Sequence, residues 1–271
     1  MFRLTREVRF AVNPQQPDGQ LAGKPTNSYA GFPSLTSLGH YFALRVSVTG
    51  PLDPASQYLI NIKKIDAVVR EHGVPLVREA VCVGGGLHPP ALVVRALFDR
   101  LRPALPAGAA LHGLSLSLSP FLCYGCLASE LPMVRLSQKF EFSATHRLHN
   151  PSLSDEENCQ TYGKCNNPHG HGHNYEVQVT LKGIPHETRR GVLVDVPAFE
   201  RIVAETVIDR FDHKNLNVEL PEFRETGLIP SVENIAMTIY RLLKPKFADS
   251  GAGLASVTVW ETPKTWCEYA E

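Results

Sequence analysis

Hydrophobic and polar residues alternate in several segments of the chain, and alternation with a period of two is typical of a strand with one covered face. In the second half of the chain, this pattern predicts four strands, over 134–148, 172–183, 255–262 and 265–270. Apolar residues at helical spacing predict a short strand plus helix over 191–210 and a helix over 231–244. The segment 149–170 shows neither pattern and is predicted to be a long loop.

The first half of the chain repeats this order at a spacing of about 130 residues, which is the size of an ordinary domain. Strands are predicted around 8–12, 42–48 and 114–118, and helices around 62–71 and 90–101. Aligning the two copies places Gly39-His40 over Gly172-His173. The boundary between the copies is predicted within 122–133, where thiols, small residues and a proline are mixed.

Three histidines occupy the apolar faces of two predicted strands. His171 and His173 are two residues apart, so both side chains project from the side of the strand that also carries Tyr175. His146 lies on the apolar face of the strand over 134–148. If the two strands pair, the three imidazoles can form a metal site with one open coordination position, which is the arrangement of catalytic zinc. The alternative is three core histidines with ordinary hydrogen bonds.

The first copy does not repeat this chemistry. It keeps one histidine of the ligand type, His40, and a single imidazole cannot hold zinc tightly. We therefore predict that the first copy keeps the fold and lacks the metal site. The other aligned positions carry Leu38 in place of His171, Pro14 or a neighbour in place of His146, and Pro120 near the position of Glu261.

Composition and charge exclude some classes of function. The chain of 271 residues has 27 basic and 27 acidic side chains, and this balance argues against nucleic-acid or membrane binding driven by a global charge. We find no apolar run of membrane-spanning length and no signal-peptide core, so we expect a cytoplasmic protein. Six cysteines in a chain of this length do not predict a disulfide scaffold. Cys123 and Cys126 could be half of a zinc site or a redox pair, but two incidental thiols near a linker are the better interpretation.

Five motifs in the second half carry a resemblance to a known family. The segment Phe140–Leu148 resembles the signature strand of the tetrahydropterin synthases, and Cys165–Tyr175 is similar to their cysteine and zinc motif. The motifs appear in the family's order and cover residues 134–271 almost completely. The remaining three are Phe211–Asn217, Pro230–Asn234 and Val259–Thr262.

The resemblance implies an α+β protein with the tunnelling fold, in which each unit has two strands, two helices and two strands. The antiparallel sheets of several subunits would join edge to edge into an oligomeric barrel with the helices on the outside. We therefore predict two such domains, a degenerate and structural one over 1–127 and a catalytic one over 132–271. The first domain would complete edges of the barrel, since exposed strand edges otherwise invite uncontrolled pairing. The protein is expected to be a homo-oligomer.

The resemblance also implies roles for individual residues. His146, His171 and His173 would hold Zn2+, which polarises substrate oxygens. Cys165 would transfer protons, and the neighbouring Lys164 favours its thiolate form. Asp212 and His213 would assist it, with the carboxylate orienting the imidazole.

Two glutamates are candidate substrate-binding residues. Glu261 shares its strand parity with Val257 and Val259, so its carboxylate is predicted to point to the apolar side, where it needs a partner. In the family this carboxylate would accept the amino group and ring N–H of a pterin, whereas an ion pair with Lys264 is the alternative. Glu233 is a second candidate, although a carboxylate at the start of a helix can simply complement the helix dipole.

The implied substrate is 7,8-dihydroneopterin triphosphate, and the implied product is a 6-pyruvoyl- or 6-carboxy-tetrahydropterin, the latter on the queuosine (7-deazaguanine) route. Five residues separate Cys165 from His171, which resembles the pyruvoyl branch. The composition, rich in alanine and arginine, is typical of bacteria, where the carboxy reaction is common, so the product stays open. A non-catalytic pterin- or purine-binding or assembly subunit of the same fold is the alternative function.

Overall fold

The computed structural model describes residues 1–13, 38–82, 89–186, 191–248 and 251–271. The chain forms two compact units. Unit 1 consists of Met1–Leu136 and Gly183–Leu193, and unit 2 consists of Ser137–Lys182 and Val194–Glu271. No helix among the described residues has both the length and the apolar character that crossing a membrane requires.

Unit 1 pairs four strands in the order in which they occur in the chain. All the pairs within it are antiparallel, and the first runs from Phe2 opposite Gly50 to Val12 opposite His40. The strands are β1 (Phe2–Val12), β2 (His40–Gly50), β3 (Ala110–Ser117) and β4 (Leu122–Leu127).

The helices of unit 1 pack against this sheet. Helices α1 (Ile62–Val68) and α2 (Val74–Cys82) are joined by the π-helical turn Val69–Gly73 into one continuous helical run, and α3 (Pro90–Ala104) packs against β3 and β4. Apolar side chains at helical spacing form the buried stripes that make these contacts. The fully buried members include Ile65, Val69, Val94, Leu97, Phe98 and Leu101.

Strand β4 occupies the first part of the segment that the sequence predicted to be the domain boundary. Cys123 and Cys126 therefore lie in a strand, not in a linker. Side chains three residues apart on a strand point to opposite faces of the sheet, so these two thiols do not face each other. Cys126 is buried, and burial raises the pKa of its thiol to about 12. This geometry argues against both a redox pair and half of a zinc site.

Unit 2 repeats the strand order of unit 1. Its strands are β5 (Val134–His146), β6 (His171–Gly183), the short β7 (Lys214–Asn215), β8 (Ala252–Thr262) and β9 (Thr265–Tyr269). The sheet order is β5–β6–β8–β9, and β7 pairs in parallel with the end of β5. The four strands predicted from the alternation are confirmed, and the mixed antiparallel architecture agrees with the predicted α+β class.

The helices of unit 2 lie mainly between β6 and β8 in the chain. Helix α9 packs against β8 and β9, as its apolar stripe requires. In chain order the helices are α4 (Asp155–Tyr162), α5 (Val196–Val203), α6 (Asp209–Phe211), α7 (Leu216–Glu219), α8 (Pro221–Arg224) and α9 (Val232–Leu243), with a π-helical turn at Ala204–Ile208.

The prediction of a long loop over 149–170 was wrong in part, because α4 lies within it. Its residues have little apolar character, so hydrophobic periodicity could not reveal the helix. The overlooked signal was a capping box. The Ser154 side chain accepts the Glu157 N–H, while the Glu157 carboxylate accepts the Ser154 N–H at 2.8 Å.

Candidate active site

Three imidazoles converge where β5 ends and β6 begins. His146 is the last residue of β5 and is fully buried, while His171 and His173 are the first and third residues of β6. One potential ligand atom from each lies within 4.8 Å of the other two. Gly170 has a positive φ of 73°, and a Cβ there would come within 3.0 Å of the His146 carbonyl oxygen. A glycine is therefore required where the chain enters β6 beside His146.

A backbone carbonyl fixes the orientation of the His146 ring. Nδ1 of His146 donates to the carbonyl oxygen of Pro230 at 2.7 Å. Because a carbonyl can only accept, the proton lies on Nδ1, and Nε2 is left with a free lone pair. That Nε2 atom lies 3.1 Å from Nε2 of His171. Pro230 directly precedes Ser231, the N-cap of α9, so the start of this helix sets the ring that β5 presents.

The donor set fits a divalent metal ion. Nε2 of His173 is buried and has no hydrogen-bond partner among the described residues. Burial lowers the pKa of His146 and of His173, which keeps their rings neutral, as metal ligation requires. Three converging imidazoles of this kind could hold one ion and leave a coordination position for another ligand.

The Glu261 carboxylate faces the same point. Its Oε1 lies 3.3 Å from Nε2 of His146 and 3.7 Å from Nε2 of His173. The side chain is 19% exposed, so the carboxylate is largely withdrawn from water near the end of β8. An acceptor of this kind, next to a metal position, can bind a ligand that presents N–H donors.

Cys165 lies in the 3-10 turn Gly163–Asn166 that follows α4, and it is partly buried. Its carbonyl oxygen accepts the N–H of Leu148, which ties the turn to the chain just beyond β5. The next residue, Asn166, accepts from Nε of Arg147 with both its backbone oxygen at 3.1 Å and its Oδ1 at 3.2 Å. The segment bearing the thiol is thus held beside the end of the strand that carries His146.

Asp212 and His213 form a pair that is docked on β5. The Asp212 carboxylate accepts the Ser143 N–H at 2.8 Å and Nδ1 of His213 at 2.7 Å, and the His213 N–H donates to the Ser143 carbonyl. The hydrogen bond from Ser143, followed by that from His213, holds the pKa of Asp212 below its usual value. His213 has a positive φ of 56°, and its side chain is 83% exposed. The carboxylate therefore orients an imidazole that opens to solvent.

The imidazole of His213 lines a cleft of about 560 Å³ on the polar face of β5 and β6. Ser143, Thr145 and Asn174 also line it, and Oγ of Ser143 donates to Oδ1 of Asn174 at 2.7 Å. Ser143, Thr145 and Asn174 alternate along their strands with the positions that carry the histidine cluster, so their side chains lie on the other face of the sheet. The cleft is also lined by His173, a member of the cluster, so it reaches the edge of the candidate metal site.

The structure brings together some predicted site residues and separates others. The three histidines and Glu261 meet at one point, and Cys165 lies in the adjacent turn. Asp212 and His213 instead form hydrogen bonds with each other and with Ser143. Glu233 is exposed in the first turn of α9, where its charge contributes to the raised pKa of Cys267.

Sequence reasoning missed three residues that support the site. Pro230 orients His146, and Asn217 binds both the N–H and the C=O of Arg147 through its side-chain amide, at 2.7 and 2.9 Å. Neither contact has a signal in hydrophobic periodicity, because both depend on segments distant in the chain. The third is Tyr175. The alternation along the strand predicts that it lies on the same face as the histidines, but the alternation does not indicate a role for its hydroxyl group.

The second half of the chain is similar in sequence to known proteins. The family model described as 6-pyruvoyl tetrahydropterin synthase matches residues 135–271. The 6-pyruvoyl tetrahydrobiopterin synthase of Drosophila melanogaster is 40% identical over 146 residues, covering 52% of this chain and 82% of the relative. The 6-carboxy-5,6,7,8-tetrahydropterin synthase of Haemophilus influenzae is 27% identical over 157 residues, covering 51% of this chain and 100% of the relative.

A solved structure, the 6-pyruvoyl tetrahydropterin synthase of Caenorhabditis elegans, is 37% identical and covers 52% of this chain and 96% of its own, with a TM-score of 0.48. The family match includes all the residues of the histidine cluster, the Cys165 turn and Glu261. It confirms the resemblance that the five motifs indicated. The chain therefore belongs to the 6-pyruvoyl tetrahydropterin synthase family, and its relatives are lyases.

Proposed function

We propose that the chain is a zinc-dependent tetrahydropterin synthase that acts on 7,8-dihydroneopterin triphosphate. The observation that carries this proposal is the convergence of three imidazoles and the Glu261 carboxylate at one point on the covered face of β5, β6 and β8. A structural zinc site would use a fourth protein ligand, whereas this donor set of three histidines leaves a position for substrate.

His146, His171 and His173 would hold the ion. When bound, zinc supplies Lewis-acid polarisation of the substrate's side-chain oxygens, which acidifies the neighbouring C–H bonds. Pro230 holds the proton of His146 on Nδ1, so the lone pair of Nε2 would be available to the ion. Glu261 would accept the amino group and ring N–H of the pterin beside the metal site.

Cys165 would move the protons between the side chain and the ring of the substrate. Its turn lies beside the end of β5, and the thiolate is the form that can accept a proton. Asp212 holds the imidazole of His213 through Nδ1, which leaves Nε2 available for proton exchange with Cys165.

In a single chain, Asp212 and His213 bond to each other and to Ser143, and the imidazole of His213 is exposed in the cleft. We propose that Cys165 and the Asp212–His213 pair of one site come from different subunits of a homo-oligomer. The exposed cleft on the polar face and the exposed imidazole support this arrangement. Glu233, exposed at the start of α9, is proposed as a further substrate-binding residue of such a shared site.

We also propose that the chain has two tunnelling-fold domains with different roles, a structural one over 1–127 and a catalytic one over 132–271. The equal strand order of units 1 and 2 supports it, as does the exposed Leu38 at the position aligned with His171. Pro14, aligned with His146, lies outside the described residues. In a barrel of such subunits, the first domain would cover strand edges without adding a site. Metal analysis tests this directly, since about one zinc per chain agrees with it and about two contradicts it.

We propose that the product is a 6-pyruvoyl-tetrahydropterin and that the reaction belongs to pterin synthesis in the cytoplasm. The supporting observations are the five residues between Cys165 and His171 and the higher identity to the pyruvoyl relative, 40% against 27% for the carboxy relative. A 6-carboxy product would assign the chain to queuosine (7-deazaguanine) synthesis instead. Mass spectrometry of the product distinguishes the two, because pyruvoyl formation eliminates triphosphate and keeps the side-chain carbons.

The experiment that tests the proposed function is turnover of 7,8-dihydroneopterin triphosphate by the zinc-loaded wild type and by Cys165→Ala. We expect turnover by the wild type and a loss of about two to four orders of magnitude in the variant. Equal rates of the two proteins would show that Cys165 does not transfer protons in the reaction. Tight binding of the substrate without turnover by the wild type would identify a non-catalytic pterin-binding subunit instead.

A further inference from the structure

The phenol of Tyr175 is buried next to the metal-type cluster. The side chain is 0% exposed, and its hydroxyl has no hydrogen-bond partner among the described residues. Its ring lies edge-on to His173 at 5.5 Å between centroids and to His146 at 6.1 Å. A buried hydroxyl without a partner destabilises the folded state, and native proteins rarely keep one without a reason.

Tyr175 lies beside the candidate metal site, because its ring contacts two of the three imidazoles that would hold the ion. Its hydroxyl has no acceptor among the described residues. A phenol carries its proton at neutral pH and is therefore available as a hydrogen-bond donor.

Unit 1 shows that the fold does not need this hydroxyl. In unit 1, Phe10 of β1 lies opposite Phe42 of β2, and the two rings stack at 5.6 Å. In unit 2, Phe142 of β5 stacks on Tyr175 of β6 at 5.0 Å. Phe42 lies two residues after His40, as Tyr175 lies two residues after His173, so the two aromatic pairs occupy corresponding positions.

The same aromatic stack is thus built with phenylalanine in the unit that lacks the histidine cluster and with tyrosine in the unit that has it. Packing accounts for the ring at this position, but it does not account for the oxygen. The oxygen is present only where three imidazoles and a carboxylate also converge.

We propose that Tyr175 is a further catalytic residue, whose hydroxyl donates a hydrogen bond to a side-chain oxygen of the bound substrate. This inference rests on the proposed function and assigns a substrate contact within the same site. The oxygen in question is one on which negative charge develops when the base removes the proton from the adjacent carbon. A donor fixed in a site that excludes water stabilises such charge strongly, since it needs no reorganisation during the reaction.

The Tyr175 hydroxyl has no hydrogen-bond partner among the described residues, and this is consistent with the proposed role. A donor that is already bonded within the protein would have to exchange partners when substrate binds. The rigid stack on Phe142 instead holds the phenol in place before the substrate arrives.

The test compares Tyr175→Phe with the wild type, because this change removes the oxygen and keeps the ring. The matched control is Tyr124→Phe, which makes the same change at a buried tyrosine of β4 in unit 1. Three quantities are measured on each zinc-loaded protein: turnover of 7,8-dihydroneopterin triphosphate, the Kd of neopterin and the zinc content. The Tm is measured on the metal-free proteins.

For Tyr175→Phe we expect kcat to fall about tenfold or more, with zinc content unchanged. The Kd of neopterin should rise about threefold to tenfold, the range of one lost hydrogen bond. The Tm of the metal-free variant should equal or exceed that of the wild type, because a partnerless polar group has been removed. Tyr124→Phe should leave turnover, Kd and zinc content unchanged.

Two results would overturn the proposal. One is a kcat and a neopterin Kd that both stay within about twofold of wild type, which would show that the substrate does not use the hydroxyl. The other is a fall in the Tm of metal-free Tyr175→Phe by several degrees, which would show that the hydroxyl has a structural partner. If the wild type turns over no substrate, the proposed reaction fails, while the neopterin Kd still decides whether Tyr175 contacts a pterin side chain.

Discussion

Units 1 and 2 have the same order of strands in the sheet and place their main helices between the second and third main strands, yet their first strand pairs carry different chemistry. In unit 2, β5 and β6 present three converging imidazoles, of which His146 is fully buried and His171 and His173 are partly buried. In unit 1, β2 begins at His40, which is exposed, and the exposed Leu38 precedes it. The residues that pair the strands are therefore separate from the residues that create a site.

The aromatic stacks of the two units are a second example of this difference. Phe10–Phe42 and Phe142–Tyr175 fill corresponding places in the two units, because both units need a large apolar pair to cover the sheet at this point. One oxygen atom distinguishes them. Differences between units that leave packing unchanged are the differences that point to function.

The largest expected effect comes from removing a member of the histidine cluster. His171→Ala should reduce the bound zinc from about one ion per chain to nearly none, because two imidazoles cannot replace a three-ligand site. Turnover should fall by at least about a hundredfold with the lost Lewis acid. Metal analysis and turnover of the purified protein measure both effects. His40→Ala in unit 1 is the matched control, and a loss of zinc in that variant would contradict the difference between the units.

A second prediction separates proton transfer from metal binding within unit 2. Asp212→Asn keeps a side chain of the same shape but weakens the orientation of His213, so kcat should fall about tenfold to a hundredfold while zinc content stays constant. The ratio of kcat to zinc content is the measurement. Asp99→Asn on α3 of unit 1 is the control and should behave as wild type. An unchanged kcat in Asp212→Asn would show that the Asp212–His213 pair does not take part in the proposed proton transfer.

A third prediction concerns the structural role of unit 1. Leu44 is fully buried in β2, so Leu44→Ala should lower the free energy of unfolding by about 2–5 kcal/mol through the lost contacts and the cavity. Chemical denaturation measures this loss, and zinc analysis of the folded protein should still find about one ion per chain. The exposed Lys63→Ala on α1 should change stability by less than about 0.5 kcal/mol. Loss of zinc from folded Leu44→Ala would show that unit 1 contributes to the metal site.

The smallest expected effect is a dependence of stability on pH at the alkaline end. Burial raises the pKa of Cys126 and of Tyr124 to about 12, above the values of these groups in an unfolded chain. Their contribution to stability is therefore fully present below the unfolded pKa and is lost as the pH rises towards the folded value.

Between about pH 9 and pH 12, Cys126→Ala should reduce the slope of stability against pH by up to about 1 kcal/mol per pH unit. The Tm measured across this range gives the slope. Cys159→Ala, at an exposed thiol of α4, should leave the slope as it is in the wild type. An unchanged slope in Cys126→Ala would mean that the thiol is less buried in solution than in unit 1 of this structure.

Local patterns in the sequence predicted most of the strands and the long helices. Alternation over 134–148 and 172–183 corresponds to β5 and β6, and apolar spacing over 231–244 corresponds to α9, because one-sided burial imposes these periods directly. Strand β4 and helix α4 escaped the patterns. Strand β4 forms by pairing with β3. Helix α4 begins at a capping box and has little hydrophobic periodicity.

The sequence by itself determined which residues carry the candidate chemistry, because a strand's parity fixes the face on which each side chain lies and the motifs fix the family. Only the tertiary structure decided how these residues meet. It brought Pro230 to His146 and Glu261 to the cluster, left the Tyr175 hydroxyl without a partner among the described residues, and placed His213 beside Ser143 in an exposed cleft. These outcomes depend on contacts between segments far apart in the chain, and no local pattern of hydrophobic and polar residues encodes such contacts.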